Sequence, residues 1–246
     1  MASRLARHRR VIAVDFRGRG LSQNAVDPAS YRPDVELADT IDLLNHLAVD
    51  RVAVLGTSRG GIVAMLMAAL HRDRLAGIML NDIGPRLEAT GLLRIRSYLG
   101  VETEFGSWDQ AIQSLQRSNP EFESLTEDEW RAFAQRVFKL VNGKPRIDYD
   151  PALASTFPSV EAIQTGNIAQ LWEIFSATID MPLSVLRGEF SDLLSPETVG
   201  EMKHQNADLD ATTIPNRGHA PFLDEDESLA AIARWLEHID AKEKGR

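Results

Sequence analysis

Along the first third of the chain, short unbroken apolar runs alternate with stretches where apolar residues recur every three or four positions. The runs are "VIAVD" (11–15), "RVAVL" (51–55) and "GIMLND" (77–82); between them, Pro33 to Leu47 and Gly60 to Leu70 carry helical spacing. Strand, helix, strand, helix, strand at these intervals predicts βαβ units in a mostly parallel sheet. The runs do not alternate with polar residues, so helices are expected on both faces of that sheet.

The middle of the chain changes character. From about Ile83 to Asp180 the pattern predicts helices and no strand. Ser107 with Gln110, and Thr126 with Glu129, match the capping box that opens a helix. Trp108, Ala111, Ile112 and Leu115 keep helical spacing, as do Trp130, Phe133, Val137, Phe138 and Val141. Strand pattern returns at "MPLSVLRG" (181–188) and "ATTIP" (211–215), and a last helix is expected from Leu229 to Ile239. The expected organisation is an α/β core from 1–82 and 181–246, with 83–180 as a helical insertion.

A length of 246 residues fits one domain with such an insertion. The net charge of −9 supplies no electrostatic footprint for nucleic acid or an anionic membrane. No apolar run approaches the ~18 residues a bilayer span requires. The chain has no cysteine, which excludes disulfides and thiolate chemistry. The Arg-rich start "MASRLARHRR" is short for a transit peptide and runs straight into apolar sequence, so it reads as the end of a helix with solvated arginines. The expectation is a cytoplasmic chain acting on a small molecule, with its oligomeric state open.

The densest signal is "VAVLGTSRGGIVAMLMAAL" (52–70), where a G-x-S-x-G pentapeptide joins a buried strand to a buried helix. This is the form of a nucleophile elbow. The turn strains Ser58, so Gly56 and Gly60 are expected to flank it without clashing. The Ser58 hydroxyl would then stand at a helix N-terminus, where free N–H groups face a developing oxyanion. Serine needs a base, and the base needs an orienting carboxylate. Of the histidines that follow, His204 and His238 fall in helices, while His219 sits in the loop "PNRGHAPFLDE" after the last strand. His219 is therefore the expected base. Asp192, in "VLRGEFSDLLSPET", is the expected acid; Glu189 and Asp82 are the alternatives. Gly18-Arg19-Gly20 lacks the third glycine of a dinucleotide loop, and Gly56 to Gly61 lacks the Lys-Ser/Thr of a phosphate loop. No cofactor and no metal are expected.

Four segments, "VIAVDFRGRGLS", "VAVLGTSRGG", "LRGEFSDLLSPE" and "NRGHAPFLDE", resemble the α/β-hydrolase superfamily of serine esterases and related enzymes. The resemblance implies Ser58 as nucleophile, His219 as base, Asp192 as acid and the Arg59 backbone N–H as an oxyanion donor. It also implies that Asp15, Arg17, Gly18, Gly20 and Ser22 form the loop that braces the region beside the nucleophile. The helical middle corresponds to the family's lid, where Leu92, Leu93, Trp108 and Trp172 could shape an acyl pocket. The implied reaction is hydrolysis of a small ester, thioester or lactone through an acyl-enzyme; carbon–carbon bond hydrolysis is a close variant. Serine at position 58 argues against the aspartate-nucleophile branch of the superfamily. The family's pattern has eight strands, of which five are legible, so the sheet is expected to be N-terminally incomplete. A longer hydrolase carrying an upstream His-Gly loop is the expectation; the alternative is a short binding or scaffold form that keeps the triad as a relic.

Overall fold

The computed structural model describes residues 1–245, which fall into two compact units. The first comprises Met1–Ala13, Pro33–Gly91 and residues 168–245, the second Val14–Arg32 and Leu92–Asn167.

A four-stranded, wholly parallel sheet organises the first unit. Its strands β1 (Val52–Thr57), β2 (Leu75–Asn81), β5 (Leu183–Gly188) and β6 (Asp210–Ile214) lie in that spatial order. The ladders pair Gly56 with Leu80, Asn81 with Leu186, and Gly188 with Ile214, so the carboxyl ends of all four strands reach the same edge. Every residue of β2 is buried, as expected for a strand covered on both faces. Helix α3 (Arg59–Leu70) covers one face, with Gly61 against Leu80. Helix α10 (Asp226–Lys244) covers the other, with Ile239 against Gly77. Positions 77 and 80 differ in parity and so point to opposite faces. Around α10, Met79, Leu186, Ile214, Ile232 and Trp235 form one apolar cluster, and Trp235 Nε1 donates to the Pro182 carbonyl at 3.1 Å. Helix α2 (Pro33–His46) packs on α3.

The run at 11–15 is not a strand. Among the described residues no ladder pairs with it, and its side chains are half-buried or exposed. An apolar run becomes a strand only where a neighbour takes up its N–H and C=O groups, and β1 stands at the edge of the sheet.

The second unit is not wholly helical either. Helices α5 (Trp108–Ser118) and α6 (Glu127–Val137) start where the capping residues set them, with Ser107 accepting from Gln110 N and Thr126 from Glu129 N. Strands β3 (Phe138–Val141) and β4 (Lys144–Ile147) then form an antiparallel hairpin. Its two-residue loop is Asn142-Gly143, with φ of 53° and 79°, the positive values a type I′ turn demands. Phe138 and Val141 thus belong to a strand, not to the helix their spacing suggested. The division of the chain also differs from the expected one: Val14–Arg32 lies in this unit, while residues 83–91 and 168–180 lie in the first.

Candidate active site

The turn between β1 and α3 carries Ser58 at φ 49° and ψ −117°, a conformation that L residues adopt only under constraint. Three backbone bonds hold it there. Ser58 N donates to the Asn81 carbonyl at 3.1 Å, and the Ser58 carbonyl accepts from Gly61 N at 2.8 Å and Ile62 N at 3.3 Å. A Cβ at position 56 would collide with the Gly60 carbonyl, which explains Gly56. Position 60 has open space around its would-be Cβ, whereas one at 61 would strike Ile83 Cγ2. The steric demand on the helix side therefore falls on Gly61 and not on Gly60. The Arg59 amide is the first of α3, in the turn whose N–H groups have no acceptor within the helix.

The loop after β6 brings His219 to this turn. Its Nε2 lies 3.0 Å from Ser58 Oγ, and its Nδ1 lies 2.8 Å from Asp82 Oδ2. The carboxylate at His219 is thus that of Asp82, correcting the expectation for Asp192. Asp82 follows β2, is fully buried and has φ 55°. Its Oδ1 accepts from Gly188 N at 2.7 Å and its Oδ2 from Ser191 Oγ at 2.6 Å, so donors satisfy the buried charge on three sides. Asp192 is part-exposed in the loop after β5, where its carbonyl accepts from Gly91 N at 2.9 Å. Glu189 is also turned elsewhere, accepting from Asn216 N.

The histidine loop is fixed at both ends. Glu225 accepts from Phe222 N and Leu223 N at 2.8 and 2.9 Å, and it pairs with Arg217 at 2.9 Å. A Cβ at Gly188 would strike the Gly218 carbonyl, so only glycine lets β5 pass this close to the loop. Beside the elbow, the Arg59 side chain pairs with the fully buried Glu36 of α2 at 2.6 Å. His204 and His238 lie exposed on α9 (Pro196–Gln205) and α10.

The other residues singled out in the sequence lie as follows. Leu92 is buried, and Leu93, Trp108 and Trp172 are half-buried. Gly18 and Gly20 bond within the second unit, to Asp150 N and the Asp148 carbonyl, while Ser22 Oγ donates to the Asp15 carbonyl. A cleft of about 400 Å³ in that unit is lined by Arg19, Thr103, Lys139, Arg146 and Tyr149 among others, and by none of Ser58, Asp82 and His219. Among the described residues no helix is long and apolar enough to cross a membrane, and no group of three or more His, Cys, Asp or Glu residues could hold a metal ion.

A parallel sheet with a strained serine between strand and helix, and a histidine loop at the same edge, defines an α/β-hydrolase fold. The chain belongs to the alpha/beta hydrolase family, whose model matches residues 1–232. It is 36% identical over 242 residues to the 3-hydroxybutyrate-oligomer hydrolase of Cupriavidus necator, covering 96% of this chain and 82% of that protein. It is 24% identical to an esterase of Mycobacterium tuberculosis over 92% of this chain and 73% of the esterase. Among solved structures, an alpha/beta hydrolase from Novosphingobium aromaticivorans superposes with a TM-score of 0.81 at 38% identity, covering 91% of this chain and 78% of that one.

Proposed function

We propose that this chain is a serine hydrolase that cleaves small carboxylic esters through an acyl-enzyme, with Ser58, His219 and Asp82 as its triad. The observation that carries the reading is the unbroken hydrogen-bond chain Ser58 Oγ, His219 Nε2, His219 Nδ1, Asp82 Oδ2, set on a strained elbow. His219 Nε2 takes the proton as Ser58 Oγ bonds to the ester carbonyl carbon, and the carbonyl oxygen gathers negative charge. The Arg59 N–H, at the positive end of α3, faces that charge. Collapse of the tetrahedral species breaks the bond to the alcohol, which leaves with the proton from Nε2. Water then repeats the sequence on the acyl-enzyme and releases the acid. Asp82 keeps the Nδ1–H tautomer and balances the imidazolium.

The 36% identity to a 3-hydroxybutyrate-oligomer hydrolase makes short linear esters of 3-hydroxybutyrate the first substrates to test beside p-nitrophenyl butyrate. A fluorophosphonate should label the protein at Ser58 and abolish hydrolysis of both. Labelling and turnover that persist in Ser58→Ala would overturn the reading.

A further inference from the structure

We infer that Asn81 is a positioning residue that ties the serine elbow to the histidine loop and so sets the Ser58–His219 distance. This rests on the triad reading given above. Asn81 ends β2 and is fully buried. Its carbonyl accepts from Ser58 N at 3.1 Å. Its side-chain Nδ2 donates at 3.0 Å to Thr57 Oγ1, the residue before the nucleophile, and at 3.0 Å to the Pro221 carbonyl, two residues beyond His219. Its peptide bond leads directly to Asp82. One residue therefore contacts the segments of all three triad members.

The orientation of the amide follows from its partners. A carbonyl only accepts, so the nitrogen must face Pro221, and this leaves Oδ1 buried with no protein hydrogen-bond partner among the described residues. An orphaned buried acceptor weakens a fold, and an apolar side chain would avoid that penalty. A residue kept solely for stability has no need of such an arrangement. A linker that holds two catalytic arms at bonding distance does need both donors, because displacing a reacting group by about 1 Å lowers the rate on the order of 10²-fold.

The test compares Asn81→Val, which suits a strand end, with Thr57→Val, which removes only the acceptor. Hydrolysis of p-nitrophenyl butyrate is measured per site titrated with fluorophosphonate, alongside thermal unfolding. Asn81→Val should lower kcat about 10²-fold per titrated site. KM should stay within about threefold and Tm within a few degrees, because the unpaired oxygen leaves together with the bonds. Thr57→Val should lower kcat by less, and the double variant should lose less than the product of the two single losses, since both cut one link. A kcat per titrated site near the wild-type value, or a loss that tracks only the folded fraction, overturns the inference. If Asn81→Val does not fold, Thr57→Val decides, and an unchanged kcat there overturns it. Ser58→Ala, run in parallel, separates the two claims. Activity surviving in Ser58→Ala sinks the triad, whereas a dead Ser58→Ala beside a fully active Asn81→Val sinks only the positioning role.

Discussion

Replacing Asp82 by asparagine changes one atom, and the structure specifies what that atom does. The new Oδ1 can still accept from Gly188 N, so the anchor to β5 survives. The Nδ2 hydrogens then face His219 Nδ1 and Ser191 Oγ. A donor opposite Nδ1 forces the imidazole proton onto Nε2, where it points at Ser58 Oγ and can no longer receive a proton. On the proposed triad, loss of this carboxylate should lower kcat on the order of 10⁴-fold, about 5 kcal/mol of transition-state stabilisation. The fold suffers less. Ser191 Oγ already accepts from Leu193 N and Leu194 N, so its own proton loses its acceptor, which costs about 1–3 kcal/mol. Steady-state hydrolysis of p-nitrophenyl butyrate per folded molecule separates the two effects, with circular dichroism reporting the folded fraction. Asp192→Asn is the control and should stay within about threefold of wild type. An Asp82→Asn protein within tenfold of wild type, or an inactive Asp192→Asn, would refute the reasoning.

Three further outcomes follow from the packing and the charges. Arg59→Met removes the 2.6 Å ion pair to the fully buried Glu36 carboxylate and should lower the urea-unfolding free energy by about 2–4 kcal/mol; Glu36→Leu with Arg59→Met should restore most of it. Gly61→Ala drives a methyl into Ile83 and should cost about 1–3 kcal/mol, whereas Gly60→Ala, with nothing near its Cβ, should be neutral or stabilising in the same assay. Burial, and then the neighbouring Tyr98, push the Tyr149 hydroxyl up to about 12. The fold therefore favours its neutral form, and the stability this brings is present below pH ~10 and lost as pH rises through about 12, up to about 2 kcal/mol after allowing for the water that still reaches the ring. Tyr149→Phe should flatten that alkaline loss in a pH series of melts.

The elements that place the site were legible because each is marked locally. Continuous apolar runs marked β1 and β2, and shorter strand patterns marked β5 and β6, each to within two residues, and G-x-S-x-G stands between a strand pattern and a helix pattern. The hairpin at 138–147 was also marked, by Asn142-Gly143, but the helical spacing of Trp130, Phe133 and Val137 continues in register through Phe138 and Val141 and hid the break. "VIAVD" failed for the opposite reason. Its local preference is for a strand, but a strand is a pairwise object, and no neighbour among the described residues completes it. The demand on Gly61 in place of Gly60 could not be read at all, because it comes from Ile83, which is distant in sequence.

The structure sets Asp82, and not Asp192, against His219 for a reason rooted in the sheet. β2 and β5 are adjacent, with Asn81 opposite Leu186, and neighbouring strands lie ~4.8 Å apart. Loops leaving the two strands at that edge therefore open on the same space, and a carboxylate from either can meet a histidine arriving after β6. Spacing and chain order allow Asp82 and Asp192 equally. The difference lies in what the partner loop offers. Here the β5 loop presents donors, Gly188 N and Ser191 Oγ, and a carboxylate delivered from β2 satisfies both while holding His219. Were Asp192 the acid, those donors would face a second carboxylate's place at the end of β2, and Asp82 would be buried without a cation or imidazole beside it. Donors, carboxylate and imidazole are thus mutually consistent in only one of the two arrangements, and that consistency exists only in three dimensions.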